Sequence, residues 1–300
     1  MGGVFDYRLH VFRRVAEEQS LSRAARALHI SQPAVTRHVK ELEAFVGTSL
    51  FVRTSGGVTL TEAGLVLLDH ARHVGAAHEE TLRTLRAKGG TVAGKLRLGA
   101  STTVTQYYLP RVLIALKKRY PAVEVEVVEA NSDVVIGDLL ARRIEMGLIE
   151  RTCRRRDLRV TEFYEDEIIV VAPPGHPLAG NGAKAAVTLD EVLREPIISR
   201  EVGSGTRLTV ETELRRRKVK VDALNIVQEL PSTEAIKRMV AGGCGLGFVS
   251  KIGASGEIAA GTLVHLKVRG VRFLRPFSAI LPLGPDPVGL RQLVLGLLST

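Results

Sequence analysis

A chain of 300 residues exceeds what one hydrophobic core usually encloses, so two or three domains are expected. Apolar residues at 45% and charged residues at 25% exclude a disordered chain, and two cysteines, Cys153 and Cys244, exclude a disulfide scaffold or a cysteine-rich zinc module. The net charge of +10 suits an anionic partner, but the excess is spread: residues 1–88 carry 12 basic and 9 acidic side chains, and residues 89–300 carry 30 and 23. No apolar run reaches the roughly 18 residues of a membrane span, and Asp6, Arg8, Arg13, Arg14, Glu17 and Glu18 argue against a secretory signal. A cytoplasmic protein without a membrane partner is the expectation, and scarce cysteine suits a reducing compartment.

In chain order, Leu9, Phe12, Val15 and Ala16 fall at helical spacing over residues 5–18. Ser20 or Ser22 caps a second, short helix holding Ala24, Ala25 and Leu28. Ser31 caps a third, with Pro33 in its first turn, where a missing N–H costs nothing. Its apolar positions, Val35, Val39, Leu42 and Val46, leave Gln32, Thr36, Arg37 and Lys40 projecting outward until Gly47 stops it. Residues 53–60 read as a hairpin turned by Gly56-Gly57. Thr61 caps a long helix to about Lys88, with Leu65, Leu68, Ala71, Val74, Leu82 and Leu85 on one side. At about 1.5 Å per residue it spans roughly 40 Å. Gly89-Gly90 and Gly94 make residues 89–94 a hinge.

From Lys95 strands and helices alternate. The order strand (96–99), polar loop (Ser101-Thr102-Thr103), helix (106–119), strand (123–128), helix (132–143) and strand (145–149) returns one hundred residues later. The second set is 196–199, Gly203-Ser204-Gly205-Thr206, 208–217, 223–228, 232–240 and 246–250, with Ser132 and Ser232 at matching caps and Gly147 and Gly247 in matching strands. This is a duplicated α/β lobe, and two such lobes enclose a cleft. Residues 163–171 and 266–279 serve as crossover strands, and 286–298 as a last helix. The domain assignment is 1–60, a linker helix at 61–88, the hinge, and a two-lobed domain over 95–300. Lobe I takes 95–165 and 268–300, and lobe II takes 166–267.

Residues 22–46 form a helix-turn-helix whose second helix presents amide and basic side chains suited to base edges and phosphates in a major groove. The hairpin places Arg53 at a neighbouring phosphate. The competing reading is a three-helix bundle with a merely solvated basic face.

Ala24-Ala25, Leu28, the run from Ser31 to Arg37, Leu42-Glu43, Gly47, Leu50-Phe51, Arg53 and Leu60-Thr61-Glu62-Ala63-Gly64 carry a resemblance to the LysR-type transcriptional regulators. The likeness runs the whole chain. It implies an α+β winged helix-turn-helix, a long linker helix and a two-lobed α/β periplasmic-binding-protein-like effector domain. It further implies a dimer of dimers on double-stranded promoter DNA, with a small effector between the lobes that alters DNA bending and recruits or blocks RNA polymerase. DNA-binding candidates are Ser31, Gln32, Pro33, Thr36, Arg37, Lys40 and Arg53. His38, Val39 and Lys40 depart from common family residues and bear only on the operator sequence.

The two polar loops open helices at equivalent points of the lobes. Free N–H groups and hydroxyls there suit a small anionic effector; simple helix capping is the alternative. Effector candidates are Ser101, Thr102, Thr103, Glu150, Ser204, Gly205, Thr206 and Arg207. Arg207 either adds charge to the site or pairs with an acid on its own helix. Glu150 either reads a donor or is a solvated strand end. The Ser-Gly-Thr-Arg run is similar to family members that regulate carbon fixation and sulfur assimilation.

Other candidates carry no chemistry. Gly242–Gly247 follows a helix and precedes a strand, the reverse of a phosphate loop. Neither cysteine has a histidine nearby, and the histidines of 70–78 lack a second ligand cluster. The basic runs 154–156 and 215–218 read as solvated faces, with a second DNA contact as the minority reading. No catalytic residue, metal or cofactor is expected. The rival from another class is a two-lobed solute-binding protein or enzyme with a helical N-terminal domain.

Overall fold

The computed structural model describes residues 2–54, 56–72, 74–75, 92–180, 186–284 and 287–298, with side chains from residue 7 onward. The chain divides into two compact units. The first comprises residues 1–85 with 141–143, and the second the remainder.

The first unit contains α1 (Gly2–Glu18), α2 (Leu21–Leu28), α3 (Gln32–Val46), an antiparallel hairpin of β1 (Phe51–Thr54) and β2 (Gly57–Leu60), and α4, helical over 62–72 and 74–75. Of the two candidate serines, Ser20 is the cap of α2, accepting from Arg23 N–H, while Ser22 lies inside its first turn and its hydroxyl donates to the Gln32 amide oxygen at 2.9 Å. His29, at φ 54°, closes α2; Ser31 caps α3 and Gly47, at φ 75°, ends it. Val11, Val15, Ala24, Ala25, Val35, Val39 and Val58 form one core. Val46 breaks the expected stripe: at the helix end it faces solvent beside Phe45.

Thr61 caps α4, its hydroxyl accepting from Gly64 N–H at 3.0 Å. Gly64 lies so close to the Leu50 carbonyl that no Cβ fits. The apolar residues of α4 do not form one unpartnered stripe. Leu68 and Ala71 pack inward on Leu9, Phe12, Leu42 and Leu50, whereas Leu65 and Val66 are 59% and 74% exposed. At 100° per residue, positions 65 and 68 lie 60° apart, enough to put one on the domain core and the other outside it. The remainder of the expected linker helix, 76–88, and residues 89–91 of the hinge lie outside the described residues. Gly94 belongs to the first strand of the second unit.

The second unit is built on one nine-stranded sheet among the described residues, ordered β4-β3-β5-β11-β6-β9-β7-β8 with β10 beside β6. The strands are β3 (Gly94–Ser101), β4 (Val123–Ala130), β5 (Met146–Ile149), β6 (Leu158–Ala172), β7 (Ile197–Arg200), β8 (Ile226–Leu230), β9 (Leu246–Ser250), β10 (Val264–Leu266) and β11 (Phe273–Pro282). In each lobe three parallel strands carry helices: α5 (Leu109–Arg119) and α6 (Ser132–Leu140) in lobe I, and α8 (Gly205–Arg216) and α9 (Thr233–Ala241) in lobe II. The caps are not matched. Ser232 caps α9, but the α6 cap is Asn131, whose side-chain oxygen accepts from Val134 N–H.

Two helices escaped the sequence pattern. Thr188 and Glu191 form a capping box on the six-residue α7 (Leu189–Arg194), and α10 (Lys251–Ala259) carries two glycines that obscure its period. The last helix, α11 (Gly289–Leu298), packs Leu290, Val294 and Leu298 on lobe I.

The long antiparallel β6 and β11 run through both lobes. Ile168 and Val170 of β6 pack in the lobe II core. On β11, Phe273 packs in lobe II and Phe277 in lobe I, so the chain returns between them rather than at residue 268. Val271 belongs to lobe II for the same reason.

Candidate functional site

In the first unit, Ser31 Oγ is occupied by the Ala34 N–H and Pro33 sits in the first turn. Gln32, Arg37 and Lys40 are exposed and, with Pro33, Thr36 and Glu41, line one shallow surface groove along α3. The Thr36 hydroxyl donates to the Gln32 carbonyl at 3.0 Å. Arg37 lies 4.0 Å from Glu41, too loose an exposed pair to fix the guanidinium. Arg53 is exposed on the hairpin, opposite Val58. The N-terminal half of α3 thus offers amide, hydroxyl and cationic groups on one open face.

In the second unit, β3 ends at Ser101 and runs directly into helical residues, including a π-turn at Val104–Tyr108 before α5. Pro110 has no N–H to return to the preceding turn; the Leu109 N–H instead reaches Val104 O, which widens the helix there. In lobe II, Ser204 precedes α8. Ser20, Ser31, Ser232 and Thr188 all spend their side-chain oxygens on their own helix N–H groups, but neither Thr103 nor Ser204 does. Ser101 Oγ and Ser204 Oγ are buried with no hydrogen-bond partner in the structure. This separates the two polar loops from ordinary caps.

Both loops converge on a residue the sequence analysis missed. Arg275, on β11 and 2% exposed, donates to Thr206 Oγ1 at 2.9 Å and reaches Thr103 Oγ1 at 3.5 Å. It pairs with Asp166 on β6 at 2.8 Å and with Glu150, just past β5, at 3.2 Å. Ser250 donates to the other Asp166 oxygen at 2.8 Å. Glu150, 1% exposed, is no solvated strand end; its N–H contacts Ser132 Oγ at 3.5 Å and its Oε2 has no partner. Burial pushes the Asp166 carboxyl above its usual range; the Arg275 charge and the two hydrogen bonds pull it back, and Glu150 pushes it further up. Gly205 lets α8 approach: a Cβ there would fall 2.6 Å from the Glu150 carbonyl and 2.7 Å from its Cγ.

Not every expected residue faces this cluster. Arg207 turns away and pairs with Glu211 at 2.8 Å and Glu229 at 2.5 Å. Thr102 is buried between Ser101 and Thr103. Arg215, Arg216 and Arg217 pair with Glu211 and Glu213 on their own helix, and Arg155 with Asp157. A second tie joins the lobes: the Tyr107 phenol donates to Glu234, and its ring packs on Gly253 and beside Lys237. Burial, then Glu234, pushes that phenol far up. Neither Arg275 nor Asp166 stands out in the sequence: Asp166 lies in the acidic run Glu165-Asp166-Glu167, and its partner is on a strand 109 residues away.

Among the described residues no helix is long and apolar enough to cross a membrane, and no three His, Cys, Asp or Glu side chains are grouped to hold a metal.

Two family profiles match the chain: "Bacterial regulatory helix-turn-helix protein, lysR family" over residues 7–65 and "LysR substrate binding domain" over residues 89–293. The chain is 32% identical over 262 residues to a "RuBisCO operon transcriptional regulator" of Allochromatium vinosum, covering 87% of this chain and 84% of that protein. Among solved structures, the Synechocystis CcmR regulatory domain in complex with 2-PG superposes with a TM-score of 0.62 at 29% identity, covering 69% of this chain and 96% of that one. A full-length OxyR variant of Pseudomonas aeruginosa superposes with a TM-score of 0.76 at 22% identity over 100% of this chain and 94% of that one, a likeness of fold.

Proposed function

The chain belongs to the LysR family of bacterial regulators, and we propose that it reads promoter DNA with α3 and answers to a small anion held between its lobes. It is a DNA-binding transcriptional regulator with an effector-binding domain. Its relatives are regulators, so the solute-binding or enzymatic reading is set aside. The observation that carries the effector reading is the meeting of Thr103 and Thr206, from opposite lobes, on Arg275, with Ser101 and Ser204 hydroxyls buried and unspent beside them. Helix starts, hydroxyls and a guanidinium are the groups that recognise carboxylate, sulfate or phosphate. The ligand named for the CcmR relative, 2-PG, is the first effector to try. Ser101, Thr103, Ser204, Thr206 and Arg275 are the proposed ligands, with Thr102 and Gly205 shaping the loops.

In the DNA reading, Gln32 and Thr36 contact bases, Arg37 and Lys40 contact bases or phosphate, and Arg53 holds a phosphate from the hairpin. Leu65 and Val66 supply an apolar surface for a second copy, consistent with a dimer of dimers in the cytoplasm. Coupling to RNA polymerase belongs to the same reading. A mobility-shift titration on DNA from upstream of the gene, with and without 2-PG, tests it. A sequence-specific shift whose affinity or mobility responds to the anion supports it, and the same binding to random DNA refutes it.

A further inference from the structure

The cleft already holds more negative charge than its guanidinium balances. Arg275 serves both Glu150 and Asp166, and all three are buried. Asp166 has the better share: it accepts from Arg275 at 2.9 Å and from Ser250 at 2.8 Å. Glu150 has one oxygen 3.2 Å from the guanidinium and the other, Oε2, without a partner. The start of α8 packs on Glu150 through Gly205, and the helical stretch after Ser101 opens toward the same guanidinium through Thr103. Each helix start carries roughly half a positive charge. With Arg275 they total about two, against two carboxylates. Glu150 therefore stands where an anion would: it is the cleft's built-in counter-charge. A second anion brings uncompensated charge among groups buried from solvent, where like charges repel strongly.

We propose that the effector anion binds together with a proton, taken up by Glu150 at Oε2. The proposal rests on the reading of the cleft as an anion site. The groups facing Glu150 are Arg275 of β11, Asp166 of β6 through that guanidinium, Ser132 at the start of α6, Gly205 at the start of α8, and the adjacent Ser204 and Thr206. Protonation turns the unpartnered acceptor into a donor for an anion oxygen and frees one Arg275 N–H to follow it. Asp166 keeps its two hydrogen bonds and holds the guanidinium in place. Affinity then falls as pH rises, by about ten-fold per unit where Glu150 is ionised in the free protein.

Calorimetric titration of the full chain with sulfate and with 2-PG, in two buffers of different ionisation heat, reads the proton count directly. Sulfate keeps its charge between about pH 5.5 and 8, so its proton uptake belongs to the protein. About one proton per anion is expected. Glu150→Gln, a neutral mimic of the protonated acid, should bind without uptake, lose the pH dependence and exceed the wild type at the upper end of that range. Binding that depends on Ser204 but takes up no proton overturns the proposal and leaves the anion site standing. Undiminished uptake in Glu150→Gln overturns Glu150 as the acceptor. If neither anion binds the wild type at any pH, the anion reading falls and the proposal with it.

Discussion

Asp166 and Arg275 stand directly opposite each other on the antiparallel pair β6 and β11, at the two points where the chain passes between the lobes, and their side chains meet at 2.8 Å. One buried ion pair thus sits at both crossovers. Arg275 also holds a hydroxyl from each lobe, so the pair lies where the two polar loops meet. Arg275→Met should leave two buried carboxylates unbalanced and cost about 3–5 kcal/mol in urea unfolding. Adding Asp166→Asn should return part of that loss. An unchanged midpoint for Arg275→Met would show that the carboxylates do not depend on it.

Ser204→Ala and Thr103→Ala each remove a hydroxyl that no helix cap uses. If each meets a charged ligand, either change should weaken effector binding by roughly ten-fold or more. Arg207→Gln should leave effector affinity nearly unchanged, because Glu211 and Glu229 already hold that guanidinium. Calorimetry on the three variants decides it; a large loss confined to Arg207→Gln would put the site on the other face of α8.

The contrast between Ser204 and Arg207 also marks what the sequence can say. Position at a helix start is written in the order of residues, and the lobe duplication made both loops legible. Direction is not: Arg207 is three residues from Ser204, yet 100° per residue carries it to the Glu211 side. Ser31, Thr61 and Gly47 were readable because caps act within a few residues. Arg275 and Asp166, 109 residues apart, become partners through strand pairing, which no local pattern records. The same limit let α4 pass as one stripe, although its own domain covers Leu68, Ala71 and Val74 and leaves Leu65 outside.

Lys40 is exposed on the α3 groove, beside Thr36 and Arg37. If it holds a phosphate, Lys40→Ala should weaken binding on all sequences and reduce the slope of log affinity against log salt by about one. Equal slopes for variant and wild type would remove Lys40 from the contact.

Gly253 and Gly256 share α10 but not surroundings. A Cβ on Gly253 would press on the Tyr107 ring at 2.7–3.1 Å, whereas nothing lies within 4 Å of one on Gly256. Gly256→Ala should stabilise by about 1 kcal/mol through helix propensity, and Gly253→Ala should destabilise by about 1–3 kcal/mol through overpacking. Thermal unfolding of both proteins checks the opposite signs; equal shifts would mean that Tyr107 does not rest on α10.

His265 of β10 titrates below its usual value, chiefly because it is partly buried, with Lys251 and Lys267 adding to the effect and Glu167 opposing it. The unfolded chain therefore binds this proton more readily than the folded one. The histidine's contribution to stability is full above about pH 6.5 and lost as pH falls below it. His265→Gln should narrow the drop in Tm between about pH 7.5 and 5.5; an identical drop would assign it to other groups.

The central claim is that an anion in the Arg275 cleft alters how α3 engages DNA. Footprinting the full-length protein on DNA from upstream of its gene, with and without 2-PG, tests it most directly when wild type and Ser204→Ala are run side by side. The account predicts a footprint that changes in extent or affinity with 2-PG for the wild type and needs at least ten-fold more of it for the variant. A footprint that responds to 2-PG identically in both proteins would contradict it.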